Sequence, residues 1–187
     1  MITGQDRNPG DPEPRTLVER VIRVDQAGEF GAVRIYEGQL AAMRWTGRSH
    51  SVASRKIAAM ARAEREHNLA FDRLLTERRV RPTALSPLWN VAGFALGAAT
   101  ALMGDKVAMA CTVAIEETID EHYASQAAAL GDDEAELRTT IERFRAEEIE
   151  HKDTALAAGA QEAPAYGALT SAIKAGSRLA IWLSTRL

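Results

Sequence analysis

The sequence predicts an all-α protein: a four-helix bundle with an apolar crossover helix and a C-terminal amphipathic helix. Three observations carry this reading. Apolar residues recur at three- and four-residue spacing through most of the chain. No stretch shows the sustained alternation of β-branched residues that marks a strand. The two halves of the chain also repeat each other in motif and spacing.

Composition sets outer limits. A chain of 187 residues is most simply one domain with a sizeable core, read here as 15–187. Residues 1–14 are polar, rich in Gly and Pro, and lack an apolar h-region, so they read as a disordered arm and not a secretory signal. The formal charge of -3 leaves no electrostatic footprint for nucleic acid. Cys111 is the only cysteine, which excludes an internal disulfide framework and a cysteine-built metal cluster.

The elements follow in order. Thr16-Leu17-Val18-Glu19 has capping-box form, and the helical pattern then runs to Arg44, with Gly47 as its stop. Ile22, Glu29, Val33, Tyr36 and Leu40 share one face, which sets Glu29 among apolar neighbours. A second helix is expected over 51–79, with Met60, Glu64, His67, Phe71 and Leu75 as its stripe. The stretch 82–104 has no charged residue. Its length nominally permits a membrane span, but Gly93, Gly97, the alanines, Asn90 and the leading prolines favour a buried or interfacial helix. A helix over 105–130, closed by Gly131, groups Glu116, Ile119 and Tyr123. The next, over 133–158 and closed by Gly159, aligns Ile141, Phe144, Glu148, His151 and Ala155. A short helix after Pro164 sets Ile173, Leu179, Trp182 and Leu183 beside Lys174, Arg178 and Arg186.

The repeat pairs Glu29, Tyr36 and Gln39 with Glu116, Tyr123 and Gln126 at a constant offset. It pairs Glu64 and His67 with Glu148 and His151 at nearly the same offset. Each half is a helix bearing a Glu followed by a helix bearing Glu-x-x-His, whose Glu and His share a face at i and i+3. Two such hairpins, joined by the apolar crossover, match the ferritin-like bundle and its di-metal carboxylate pattern. The candidate ligands and catalytic residues are therefore Glu29, Glu64, His67, Glu116, Glu148 and His151. Four carboxylates offset the charge of two cations and can bridge them; two imidazoles leave positions open. Two metals so held would stand roughly 3.5–4 Å apart.

One Glu-x-x-His is weak evidence, since charged helices produce it by chance on a solvated face. Two in register, each preceded by a Glu on an apolar stripe, are much stronger. Four buried unpaired carboxylates without cations would be prohibitively costly. Glu117 competes with Glu116, and the repeat favours Glu116. Glu66, Glu147 and Glu150 read as surface charges, and His122 is expected to face away. Asp25 and Asp120 are candidate partners for the ring N–H of a ligating histidine or else surface residues. Tyr36 and Tyr123 are core tyrosines or lie beside the metals. Cys111 reads as core.

The runs Asp25-Gln26-Ala27-Gly28-Glu29-Phe30-Gly31-Ala32, Cys111-Thr112-Val113-Ala114-Ile115-Glu116-Glu117 and Glu147-Glu148-Ile149-Glu150-His151, with the closing Ile181-Trp182-Leu183-Ser184, resemble the demethoxyubiquinone hydroxylase family of ubiquinone biosynthesis. The resemblance implies a non-haem di-iron monooxygenase that hydroxylates the ring of demethoxyubiquinol. It implies two iron ions, O2 as co-substrate, NADH or another reductant, and a polyprenyl quinone substrate met at a membrane surface. It implies a peripheral position, on the cytoplasmic face of a bacterial inner membrane or the matrix side of the mitochondrial one in a processed form. Homo-oligomers and contacts with other ubiquinone-biosynthesis proteins stay open. The alternatives are a ferritin-like ferroxidase or storage protein, another di-metal redox enzyme such as a manganese catalase, and a helical scaffold without metals.

Overall fold

The computed structural model describes residues 14–187, and within them every regular element is helical. The polar arm read over 1–14 lies outside the described residues except Pro14, which opens helix α1, Pro14–Trp45. The helix thus begins two residues before the expected Thr16. Proline suits the first turn, where its missing N–H has no helical partner to lose. Helix α1 ends as expected: Gly47 takes φ 73°, its N–H bonds Arg44 O at 3.1 Å, and Arg48 N–H bonds Met43 O at 2.7 Å. This double closure is the Schellman arrangement, which uses the left-handed freedom of glycine.

Helix α2 spans Val52–Glu77, and the Ser51 side chain accepts from the Ser54 N–H at its start. Helix α3, the crossover, spans Ser86–Leu102; α4 spans Asp105–Ala129. The end of α4 differs from the expectation. Gly131 has φ -74°, Leu130 is extended, and a 3-10 turn at Asp132–Glu134 delays helix α5 to Ala135–Ala157. Gly159 closes α5 in the left-handed region at φ 86°. Helix α6 runs Tyr166–Ser184 and, at 19 residues, is longer than the short helix expected.

Helices α1 and α2 form one hairpin and α4 and α5 the other. They bury the predicted stripes against each other, and Ile22, Phe71, Tyr123, Ile141 and Phe144 fill one end of the bundle. Met43, Ile57, Met60, Met109 and Val113 fill the other. Burial of such side chains stabilises by about 1.5–3 kcal/mol each.

The crossover packs by its small residues. A Cβ at Gly97 would collide with the carbonyl oxygen of Ile35, and one at Gly38 with that of Phe94. A Cβ at Gly93 would stand 3.0 Å from Gly31 O. Backbone therefore meets backbone where α1 crosses α3, and the bulky apolar residues of α3 turn outward. Leu88, Val91, Leu102 and Met103 are exposed, as are Leu179 and Trp182 on α6. The two outer helices are tied by Trp89 Nε1, which donates to Ser184 Oγ at 2.9 Å. No described helix is long and apolar enough to cross a membrane.

The basic residues of α6, and Arg186 just beyond it, are less free than the sequence pattern implied. Lys174 pairs with Glu117, Arg178 Nη2 lies 2.8 Å from Glu121, and Arg186 lies over the Trp182 ring at 4.1 Å. Carboxylates on α4 thus neutralise two of the cations expected to reach lipid.

Candidate metal centre

The bundle positions one predicted carboxylate on α1 and one on α4, and a Glu–His pair on each of α2 and α5. All six side chains are buried, His151 being the most exposed at 9%. They converge as two overlapping groups: Glu29, Glu64, His67 and Glu148, and Glu64, Glu116, Glu148 and His151. Within each group the candidate ligand atoms lie within 4.8 Å of one another. Glu64 and Glu148 belong to both groups, while Glu29 and His67 belong to one and Glu116 and His151 to the other, so two cations held here would share Glu64 and Glu148.

The same atoms are short of partners. Both oxygens of Glu64, Oε2 of Glu29, Oε2 of Glu116, Oε1 of Glu148 and Nδ1 of His67 are buried with no hydrogen bond in the protein. Buried polar atoms are nearly always satisfied, and a cluster of orphans facing one space calls for a ligand. Its electrostatics agree. Burial, followed by the charge of Glu148, pushes the Glu64 and Glu116 carboxyls well above the usual range. Burial also raises Glu148 and lowers His151. Burial opposes a charged His67, but the nearby Glu148 and Glu29 carboxylates outweigh it and carry its pKa up to about 11. Protons can meet this crowding of negative charge; divalent cations can meet it more completely.

The tyrosines serve the centre across the repeat. The Tyr36 hydroxyl on α1 donates to Glu116 on α4, and the Tyr123 hydroxyl on α4 donates to Glu29 on α1. Each carboxylate that serves one side alone is therefore fixed by a tyrosine from the opposite half.

Several expectations are corrected. Asp120 accepts from Arg145 Nε at 2.6 Å and touches no ligating histidine. Asp25 is buried, but its partners are Gln126, whose Nε2 donates to it at 2.7 Å, and His122, whose Nε2 is 3.6 Å away. His122 lies outside the ligand groups and turns toward this polar pair instead. Glu117 is taken by Lys174, which leaves Glu116 alone facing the centre on α4. Glu147, read as a surface charge, lies 2.7 Å from His67 Nε2. Its place beside Glu148, one position off the stripe, hid this: periodicity marks the face of α5, not how far a rim carboxylate can bend.

A second feature lies on the helices that carry Glu29 and Glu116. An apolar cavity of about 510 Å³ opens between α1, α3, α4 and α6. Ala27, Gly28 and Gly31 of α1 and Ile115, Thr118 and Ile119 of α4 line it, near Glu29 and Glu116 in sequence, while none of the six candidate ligands does. Trp89, Leu96 and Ile181 line the side formed by the outer helices.

The family model described as "Ubiquinone biosynthesis protein COQ7" matches residues 16–184. The chain belongs to this family. It is 56% identical over 185 residues to the 3-demethoxyubiquinol 3-hydroxylase of Rhodospirillum rubrum, covering 99% of this chain and 85% of the relative. It is 50% identical over 177 residues to the human mitochondrial NADPH-dependent 3-demethoxyubiquinone 3-hydroxylase, covering 92% and 79%. Over 188 residues it is 38% identical to the mitochondrial 5-demethoxyubiquinone hydroxylase of Saccharomyces cerevisiae, covering 91% and 78%. The helical bundle and the buried Glu/His cluster thus belong to a member of a ubiquinone-biosynthesis family, and these three relatives are named as hydroxylases.

Proposed function

We propose that this chain is a 3-demethoxyubiquinol 3-hydroxylase that uses a di-iron centre held by Glu29, Glu64, His67, Glu116, Glu148 and His151. The observation that carries the reading is the set of orphaned buried ligand atoms converging inside the bundle. The donor set of carboxylates and imidazoles suits iron. Iron bound there supplies the redox chemistry that activates O2, with electrons from a reduced nicotinamide nucleotide or another donor.

The chain's own residues do the rest. Tyr36 and Tyr123 hold Glu116 and Glu29 in place, so these carboxylates need not reorganise when a cation arrives. The cavity offers an apolar wall to an isoprenoid tail on the side of α1 and α4 that meets α3 and α6. The apolar lining excludes water from the reacting carbon. The exposed apolar residues of α3 and α6 lie on the helices that border the cavity, which favours peripheral docking to a bilayer holding the quinone. By this reading the protein acts at the cytoplasmic face of a bacterial inner membrane, or on the matrix side of the mitochondrial one.

The test is anaerobic loading with Fe(II), then addition of O2, a reductant and demethoxyubiquinol. Formation of the ring-hydroxylated quinol is expected. Oxidation of iron without any hydroxylated product would overturn the reading in favour of a ferroxidase.

A further inference from the structure

His67 turns Nδ1 toward the interior of the centre, 3.0 Å from Glu148, 3.5 Å from Glu29 and 4.0 Å from Glu64. Its other nitrogen, Nε2, lies 2.7 Å from Oε2 of Glu147. A neutral imidazole carries one proton. A proton on Nε2, donated to Glu147, leaves the Nδ1 lone pair aimed at the carboxylates, which is the form a cation needs. Phe144 stacks on the same ring at 4.0 Å and fixes its plane.

His151 presents Nδ1 in the same manner, 3.0 Å from Glu64 and 3.1 Å from Glu148. Among the described residues, however, no acceptor is hydrogen-bonded to its Nε2. The repeat gives the reason. Glu147 stands one residue before Glu148; the residue one before Glu64 is Ala63. The pseudo-twofold relation is broken at that side chain.

We infer that Glu147 is a positioning residue for His67 and makes the two metal positions unequal, so that the one formed by Glu29, Glu64, His67 and Glu148 binds a divalent cation more tightly than the one formed by Glu64, Glu116, Glu148 and His151. This rests on the metal-centre reading above. A carboxylate behind a ligating histidine fixes its tautomer and orientation and raises its basicity, an effect typically of roughly 10–100-fold in affinity. The tyrosine donors do not offset the difference, since Glu29 and Glu116 each have one.

The experiment titrates metal-free protein with Co(II) against a competing chelator and reads stoichiometry and both dissociation constants. Wild type is expected to bind two ions per chain with affinities at least about tenfold apart. Glu147→Ala is expected to weaken the tighter step roughly 10–100-fold and leave the weaker step within about twofold. Glu147→Gln keeps an acceptor of the same length and is expected to lose less; it decides the matter if the alanine variant fails to fold. His151→Ala should remove the weaker step, which assigns the two. Absence of Co(II) binding in wild type would overturn the metal-centre reading and this inference with it. Two bound ions with both constants unchanged, or weakened alike, in the Glu147 variants would overturn this inference alone.

Discussion

The hydroxyl of Tyr123 donates to the carboxylate of Glu29, across 94 residues of chain and from the opposite repeat. The bond is buried, and its acceptor faces other carboxylates. A hydrogen bond to a charged group is worth about 1.5–3 kcal/mol, and the loss is greater when a buried acceptor is left bare. Tyr123→Phe should therefore lower stability by about that amount. Chemical denaturation of wild type and variant measures it; equal midpoints would mean that Glu29 needs no such donor. Tyr36→Phe, through Glu116, should behave alike.

The assignment on α4 is tested by neighbours. Glu116→Gln should strip metal and activity, while Glu117→Gln should cost only a half-buried ion pair with Lys174, about 1 kcal/mol of stability. His67→Ala and His151→Ala should each lower iron content with the helical signal kept. Iron analysis and circular dichroism read both. Full occupancy in the histidine variants, or a reversed ranking of the glutamates, would remove these residues from the centre.

The six converging side chains were legible because a helix face and an internal repeat are both written in residue spacing. Glu116 could be chosen over Glu117 from register with Glu29 alone. What spacing could not express was contact across elements. The exchange of tyrosines between halves, the turn of His122 toward Asp25 and the reach of Glu147 to His67 depend on how the hairpins dock. The end of α4 was misplaced for a related reason: Gly131 resembles a helix stop in sequence, but the extended Leu130 had already ended the helix. The orientation of α3 was equally hidden, because its glycines become the packing face only when α1 lies against them.

The pH dependence of the metal-free protein should run opposite to that of most proteins. Glu64, Glu116 and Glu148 are raised above 4.5 by burial, and His67 is raised from 6.5 to about 11. The native state then holds more protons than the unfolded state from about pH 4.5 upward, so stability falls as pH rises. His151, lowered by burial, works the other way below 6.5 but is the one candidate ligand so lowered. Melting temperature of metal-free protein should therefore drop between about pH 5 and pH 8. Bound divalent metal should flatten the slope by replacing those protons. A metal-free melting temperature that rises over this range would contradict the buried-charge account.

The crossing of α1 and α3 should tolerate no side chain at Gly97. A methyl there meets the backbone of Ile35, which has nowhere to turn, whereas at Gly93 the nearest atom is Gly31 O at 3.0 Å and a small shift suffices. Gly97→Ala should cost about 3 kcal/mol or more and Gly93→Ala less. Thermal melts rank the two, and equal midpoints would show that the helices separate freely.

Docking to a bilayer is the last expectation, and the ion pairs of α6 alter its form. The basic residues beside Trp182 invited an electrostatic reading, in which each cation near anionic lipid is worth about 1 kcal/mol and salt screens it. Lys174 and Arg178 are already paired with Glu117 and Glu121, which leaves little charge for lipid. The exposed Leu88, Val91 and Leu102 of α3 and Met103 just after it, with Leu179 and Trp182 of α6, bring apolar area that salt does not screen. Each side chain fully buried in the interface would contribute about 1.5–3 kcal/mol. Binding should accordingly depend weakly on salt and on anionic lipid, and strongly on apolar side chains. Flotation with phosphatidylcholine vesicles, with and without phosphatidylglycerol, at low and high salt, tests this. Val91→Ser with Trp182→Ser should abolish flotation, while Arg178→Gln should change it little. A wild-type protein that floats only with anionic vesicles at low salt would show that charge, not the outward face of the crossover, holds it to the membrane.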